Sequence, residues 1–288
     1  MNGLLEVGRA WTFEPVPALS LLVSACAYAA AARAVSRRHP DSPWPRRKAT
    51  AFYGGLGLAG LVLLGPVGSY DETFFWAHMT QHLVLMMLVA PLLLLGSPVL
   101  LVLRVSSTRI RHDLVVPVLR SRLMGVVTDP VVTWLLFAGV LVGTHFTPFY
   151  DLALRHQWLH LYVEHPLYLG SALLYFYPLL GSNPAPRRPA PALRVVSLFL
   201  MMVPETLTGF FLYSSGYVRY PFLATVHRPF GPGPLADQQL GGALMWAGSM
   251  AIDTVWIALG MLKWLHTEER RTRRVDAQIA RELAAGPA

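Results

Sequence analysis

Charge is scarce in this sequence. Asp, Glu, Lys and Arg make up 14% of its 288 residues, against roughly 25% in a soluble globular domain. Hydrophobic residues make up 54%, and the mean hydropathy is +0.44. Thiols are scarcer still. Cys26 is the only cysteine, which excludes an internal disulfide, a Cys-x-x-Cys metal or redox motif and a Cys-x-x-Cys-His haem attachment site. Cys26 lies inside an apolar run and reads as a small buried side chain. Lys48 and Lys263 are the only lysines, and both sit at ends of apolar runs, so no mid-span lysine is present to anchor retinal. No nucleophile–base pair or phosphate-binding loop stands out, and enzymatic activity is not expected. No internal repeat is visible. Only Arg9 is basic ahead of the first apolar run, which ends at Arg33; that run reads as a retained span, with no removable leader.

Long apolar runs are present in their place. They recur at close to the 20 residues that cross a bilayer. We read an all-α, polytopic membrane bundle of seven helices at about 16–34, 50–68, 74–103, 128–146, 156–180, 193–215 and 239–264. Residues 1–265 form the transmembrane domain and 266–288 a basic cytoplasmic tail. The third run is longer than a span needs, and Pro91 and Gly96-Ser97-Pro98 are expected to kink or end it.

The basic residues set the topology. Twenty of the 24 Lys and Arg fall on one side: Arg33 to Lys48, Arg104 to Arg122, Arg187 to Arg194, and Lys263 to Arg281. Arg9, Arg155, Arg219 and Arg228 fall on the other. The positive side faces the cytoplasm, so the N-terminus is placed outside and the C-terminus inside. The net charge of +8 is thereby spent on orientation and does not point to nucleic acid; the expected surroundings are lipid. The outer side carries Asp71, Glu72, Asp151 and Asp237, and its longest loop holds Arg228-Pro229-Phe230-Gly231-Pro232-Gly233-Pro234, which reads as a shaped cover.

Six histidines collect at the outer edge: His78, His82, His145, His156, His160 and His165. His78 and His82 are four residues apart and share a helix face. His156, His160 and Glu164 repeat that spacing on the fifth helix. A lone histidine at a helix end commonly bonds to water or a carbonyl, and His145 and His156 fit that role well. Pairs with a carboxylate nearby are harder to dismiss inside a bilayer. Neutral imidazoles from several helices suit a transition metal, and Met79 and Met245 lie at the same level as thioether donors of the kind Cu(I) takes. Deeper, Glu205 follows Pro204 and Asp253 lies in the seventh helix, with no Lys or Arg mid-span to pair with either. Asp237, Gln238 and Gln239 open the seventh helix; Asp237 suits a helix cap, and Gly241-Gly242 would let that helix pack closely. Two rival readings use the same residues. One is a copper or proton transporter with Glu205 and Asp253 as a relay, and the other is a b-type haem protein with axial histidines.

The run His78-Met79-Thr80-Gln81-His82, continuing through Ala90-Pro91 to Gly96-Ser97-Pro98, resembles the CtaG-type cytochrome c oxidase assembly factors of bacteria. Pro148-Phe149-Tyr150-Asp151, His160, Glu164-His165, and Asp237-Gln238-Gln239-Leu240-Gly241-Gly242 with Met245-Trp246 fit the same family in order, from about residue 50 to 264. The resemblance implies a seven-helix membrane protein needed to build a caa-type terminal oxidase, working with the oxidase subunits and delivering or inserting copper on the outer side. His78, His82, His160, Glu164, His165, Asp237, Gln238 and Gln239 would be its polar set.

Overall fold

The computed structural model describes residues 11–186 and 188–285, which leaves Arg9 and Arg187 of the charge pattern outside the described residues. Every regular element described is a helix. The long ones are α1 (Pro15–Arg38), α2 (Arg46–Ser69), α3 (Phe75–Val105), α4 (Pro130–Phe146), the short α5 (Phe149–Arg155), α6 (157–180), α7 (Pro191–Ser214) and α8 (234–285). Helices therefore lie at all seven expected positions. Five of them are long and apolar enough to cross a membrane, or six if α4 and α5, bent by 68° at their junction, count as one broken span. The expectation of seven is thus met only in part, for physical reasons. At 17 residues α4 is short by itself, and α6 carries His160, Glu164 and His165, whose polarity dilutes its apolar run.

Proline and asparagine shape the helix that matters most. α3 runs straight through Pro91 and breaks at Ser97, whose φ of 55° is left-handed. Pro91 has no N–H, so the carbonyl of Met87 loses its helical donor. The Trp256 Nε1–H of α8 donates to that carbonyl at 2.9 Å. At the break, Asn183 Oδ1 accepts from Val99 N at 3.1 Å while its Nδ2 donates to Leu94 O at 3.0 Å. One side chain thus satisfies backbone groups on both sides of the interruption.

α3, α6 and α8 each contain one wider, π-helical turn: Leu85–Val89, His160–Glu164 and Leu244–Gly248. Such turns pull successive side chains out of ordinary helical register. α7 and α8 approach until backbones touch. A Cβ on Gly209 would lie 2.6 Å from Trp246 N, and one on Gly242 would lie 2.5 Å from Tyr213 N.

The basic loops gather at one end of the bundle. Arg38 donates to Val105 O at 2.5 Å, Arg104 to Ser42 O at 3.0 Å and Lys263 to Leu180 O at 3.1 Å. His78, His82, His145, His156, His160 and His165 lie towards the opposite end, whereas His39, His112 and His266 accompany the basic residues. One expectation is corrected here. Cys26 is exposed, because α1 lies at the edge of the bundle and buries only Tyr28 and Val35. The last helix continues through residue 265 to Ala285.

Candidate metal centre

Five side chains from α3 and α6 meet in the interior. His78 and His82, one helical turn apart, have ring centroids 4.1 Å apart. His160 of α6 lies 4.9 Å from His78, centroid to centroid. Glu164 reaches into the middle. Its Oε1 is 3.4 Å from His78 Nε2 and 4.0 Å from His82 Nε2, and its Oε2 accepts from His160 Nδ1 at 2.6 Å. The wide turn of α6 opens between His160 and Glu164 and brings His165 back beside His160, with ring centroids 4.3 Å apart. All five residues are buried; Glu164 and His78 are 0% exposed.

A second row of groups holds the first. Asp71, in the turn before α3, accepts from His160 Nε2 at 3.1 Å and from Gln81 Nε2 at 2.9 Å. The other Gln81 amide hydrogen goes to Val62 O at 2.9 Å, so its Oε1 is left to accept from His165 Nε2 at 2.7 Å. Asp71–His160 is the carboxylate–imidazole pairing that orients a metal ligand and raises its basicity. Tyr150 packs its ring on His78, with centroids 4.7 Å apart, and Tyr168 packs on His82 at 4.1 Å.

The donor set fits one metal ion. Four ligand atoms, one each from His78, His82, His160 and Glu164, lie within 4.8 Å of one another. Donors bound about 2 Å from one ion lie roughly 3–4 Å apart. Both ring nitrogens of His78, both of His82 and Oε1 of Glu164 are buried without a hydrogen-bond partner. Polar atoms left so cost about 1–3 kcal/mol each, and a shared cation would satisfy several together. The imidazole and carboxylate set without a thiol suits a divalent transition ion such as zinc, copper or iron.

The other expected residues fall elsewhere. His156 caps α6 in extended backbone, its carbonyl accepting from His160 N at 3.2 Å, and its side chain is exposed and takes no part in the cluster. His145 is buried but stands apart: its Nδ1–H donates to Leu141 O at 2.8 Å. Met79 and Met245 border a small cavity beneath His82. Asp237 is a cap, though for another helix: its Oδ2 accepts from Phe75 N at 2.8 Å and its Oδ1 from Trp76 N at 3.1 Å, at the start of α3. Gln238 Oε1 accepts from Arg219 N at 2.7 Å, and Gln239 Nε2 donates to Ser215 O at 3.3 Å, so both glutamines fasten the loop between α7 and α8. Glu205 and Asp253 are buried neighbours deeper in the bundle.

That loop packs against the start of α3. Phe230 rests on Phe74 and Tyr70, with centroids 5.2 and 5.3 Å away. Gly231 has φ of 83°, and a Cβ there would come 2.9 Å from the Phe74 ring. Asp71, Gln81, Tyr150 and Tyr168 join the site without being among the residues the sequence singles out for it. Asp71 read as one more outer charge, although an acid so close before the His78 helix was a usable signal. Gln81 lies within the His-x-x-x-His run itself.

A family profile described as cytochrome c oxidase caa3 assembly factor matches residues 26–267. Uncharacterized proteins of Mycobacterium bovis and Mycobacterium tuberculosis are each 29% identical over 293 residues, covering 98% of this chain and 43% of theirs. An uncharacterized Mycobacterium leprae protein is 27% identical over 274 residues, covering 92% of this chain and 41% of its own. The chain thus spans less than half the length of these curated relatives. No solved structure matches it.

Proposed function

The chain belongs to the cytochrome c oxidase caa3 assembly factor family, and from that premise we propose that it serves oxidase assembly by holding copper between α3 and α6. His78, His82 and Glu164 bind the ion. His160 joins them through Nδ1 as the ion displaces the proton that this nitrogen shares with Glu164 Oε2, with Asp71 orienting the ring through Nε2. His165 and Gln81 keep Asp71 and His160 in line. The observation that carries this reading is the set of five buried, unpartnered donor atoms on His78, His82 and Glu164.

In this reading all seven apolar helices cross a bacterial plasma membrane, with the N-terminus outside, the C-terminus in the cytoplasm and the metal centre near the outer face. The Lys and Arg asymmetry supports that orientation. An oxidase subunit receives the ion. Titration of the detergent-purified chain with Cu(II), read by equilibrium dialysis and metal analysis, tests the proposal. One ion per chain, lost in His78→Ala/His82→Ala, is expected. Absence of stoichiometric binding, or binding indifferent to that double substitution, refutes it.

A further inference from the structure

Directly beneath His82 lies a cavity of about 30 Å³, room for one water-sized occupant. Its wall is unusual in composition. Met79, Met86, Met87 and Met245 all border it, which places there four of the ten methionines of the chain. Two of the wide turns meet across it: Met86 and Met87 belong to Leu85–Val89 of α3, and Met245 belongs to Leu244–Gly248 of α8. Regular helices would not bring these residues forward in the same way, and π-turns recur where helices build functional sites.

Methionine alone is ordinary core filling. The polar atoms at the same wall are not explained by packing. His145 borders the cavity. Its Nδ1–H is committed to Leu141 O at 2.8 Å, so Nε2 carries the lone pair. That nitrogen is buried and without a partner. Glu205 also borders the cavity, and its Oε2 is likewise buried and unpartnered. His82 forms the roof, so the cavity adjoins the His/Glu centre without sharing its carboxylate.

We propose that this cavity is a second cation site, selective for a soft monovalent ion such as Cu(I), bound by the thioethers of Met79, Met86, Met87 and Met245 and by Nε2 of His145. Thioethers and imidazole prefer Cu(I), whereas the imidazole–carboxylate set above prefers Cu(II). The ion enters already reduced, so no electron donor is required. The role of this site in copper handling rests on the copper reading of the upper centre; its existence as a soft-ion site does not.

Ag(I), a redox-inert probe of the same softness, tests it on the full chain in detergent. One tightly held Ag(I) per chain is expected, with sulfur neighbours in its X-ray absorption spectrum. Met86→Leu/Met87→Leu conserves volume, which cores tolerate, and should weaken Ag(I) binding at least about tenfold, or about 1.4 kcal/mol, while Cu(II) binding persists. His78→Ala/Glu164→Gln should do the reverse. Ag(I) binding that is absent, that lacks sulfur neighbours, or that is unmoved by the methionine substitutions overturns the proposal. Ag(I) bound and lost with the methionines in a chain that binds no Cu(II) would uphold this site and refute the upper one.

Discussion

Asp237 of α8 caps the helix that carries the histidine pair, accepting from Phe75 N at 2.8 Å. Its other oxygen accepts from Trp76 N at 3.1 Å. The Asp-Gln-Gln run of one helix and the His-x-x-x-His run of another are therefore parts of a single device. Asp237 fixes where α3 begins, and with it the depth of His78 and His82. Replacing it by Ala strands two backbone donors, one of them on the buried Phe75. Asp237→Ala should destabilise the protein by about 1–3 kcal/mol and weaken Cu(II) binding, while Asp237→Asn, which keeps an acceptor, loses less. Thermal midpoints and Cu(II) titrations of the two variants check this; equal behaviour of the Ala variant and the parent would contradict it.

Glu164 touches three imidazoles from two helices. Glu164→Gln keeps the shape and removes the charge that compensates a cation. Cu(II) affinity should fall about 10–100-fold, the scale seen when groups that tune a metal site are lost. Competition with a chelator of known affinity measures it, and an unchanged constant would remove Glu164 from the site.

Much of this could be read in the sequence. Five of the expected apolar runs are helices long and apolar enough to cross a membrane, because crossing lipid demands long uninterrupted hydrophobic stretches. The His78–His82 pair follows from helical spacing alone. What could not be read comes from departures from regular helix. The wide turn at His160–Glu164 brings His165 beside His160, and no 3.6-residue periodicity predicts that. His156 fails to join because the helix starts one residue after it. Asp71 reads as an outer charge because His160 lies 89 residues away, and Asp237 reads as the cap of its own helix because Phe75 lies 162 residues away. The roles of the two glutamines as loop fasteners were hidden for the same reason.

Trp256 supplies the donor that Pro91 withholds from Met87 O. Trp256→Phe retains an aromatic ring and removes that N–H. A loss of about 1–3 kcal/mol is expected from the unsatisfied carbonyl, partly recovered when Pro91→Ala restores the helical N–H. Chemical or thermal unfolding of the single and double variants decides the point; additive losses would show that the two residues act separately.

Gly209 and Gly242 let α7 and α8 touch. Gly242→Leu forces the pair apart and should cost about 1–3 kcal/mol or more, whereas Gly57→Leu, where a Cβ meets nothing within 4 Å, should be close to neutral. Comparable midpoints for the two would refute the close-contact account.

Copper itself should stabilise the fold. Free Cu(II) at 100 times its dissociation constant adds about 2.7 kcal/mol to a protein that binds one ion only when folded. The thermal midpoint should rise with added Cu(II) and fall back with a chelator, and His78→Ala/His82→Ala should show neither change.

The most direct measurement is anomalous diffraction at the copper edge from crystals of the full chain grown with Cu(II). The account predicts one strong peak between α3 and α6, within bonding distance of His78, His82 and Glu164. A peak confined to surface groups, or none between those helices, would contradict it.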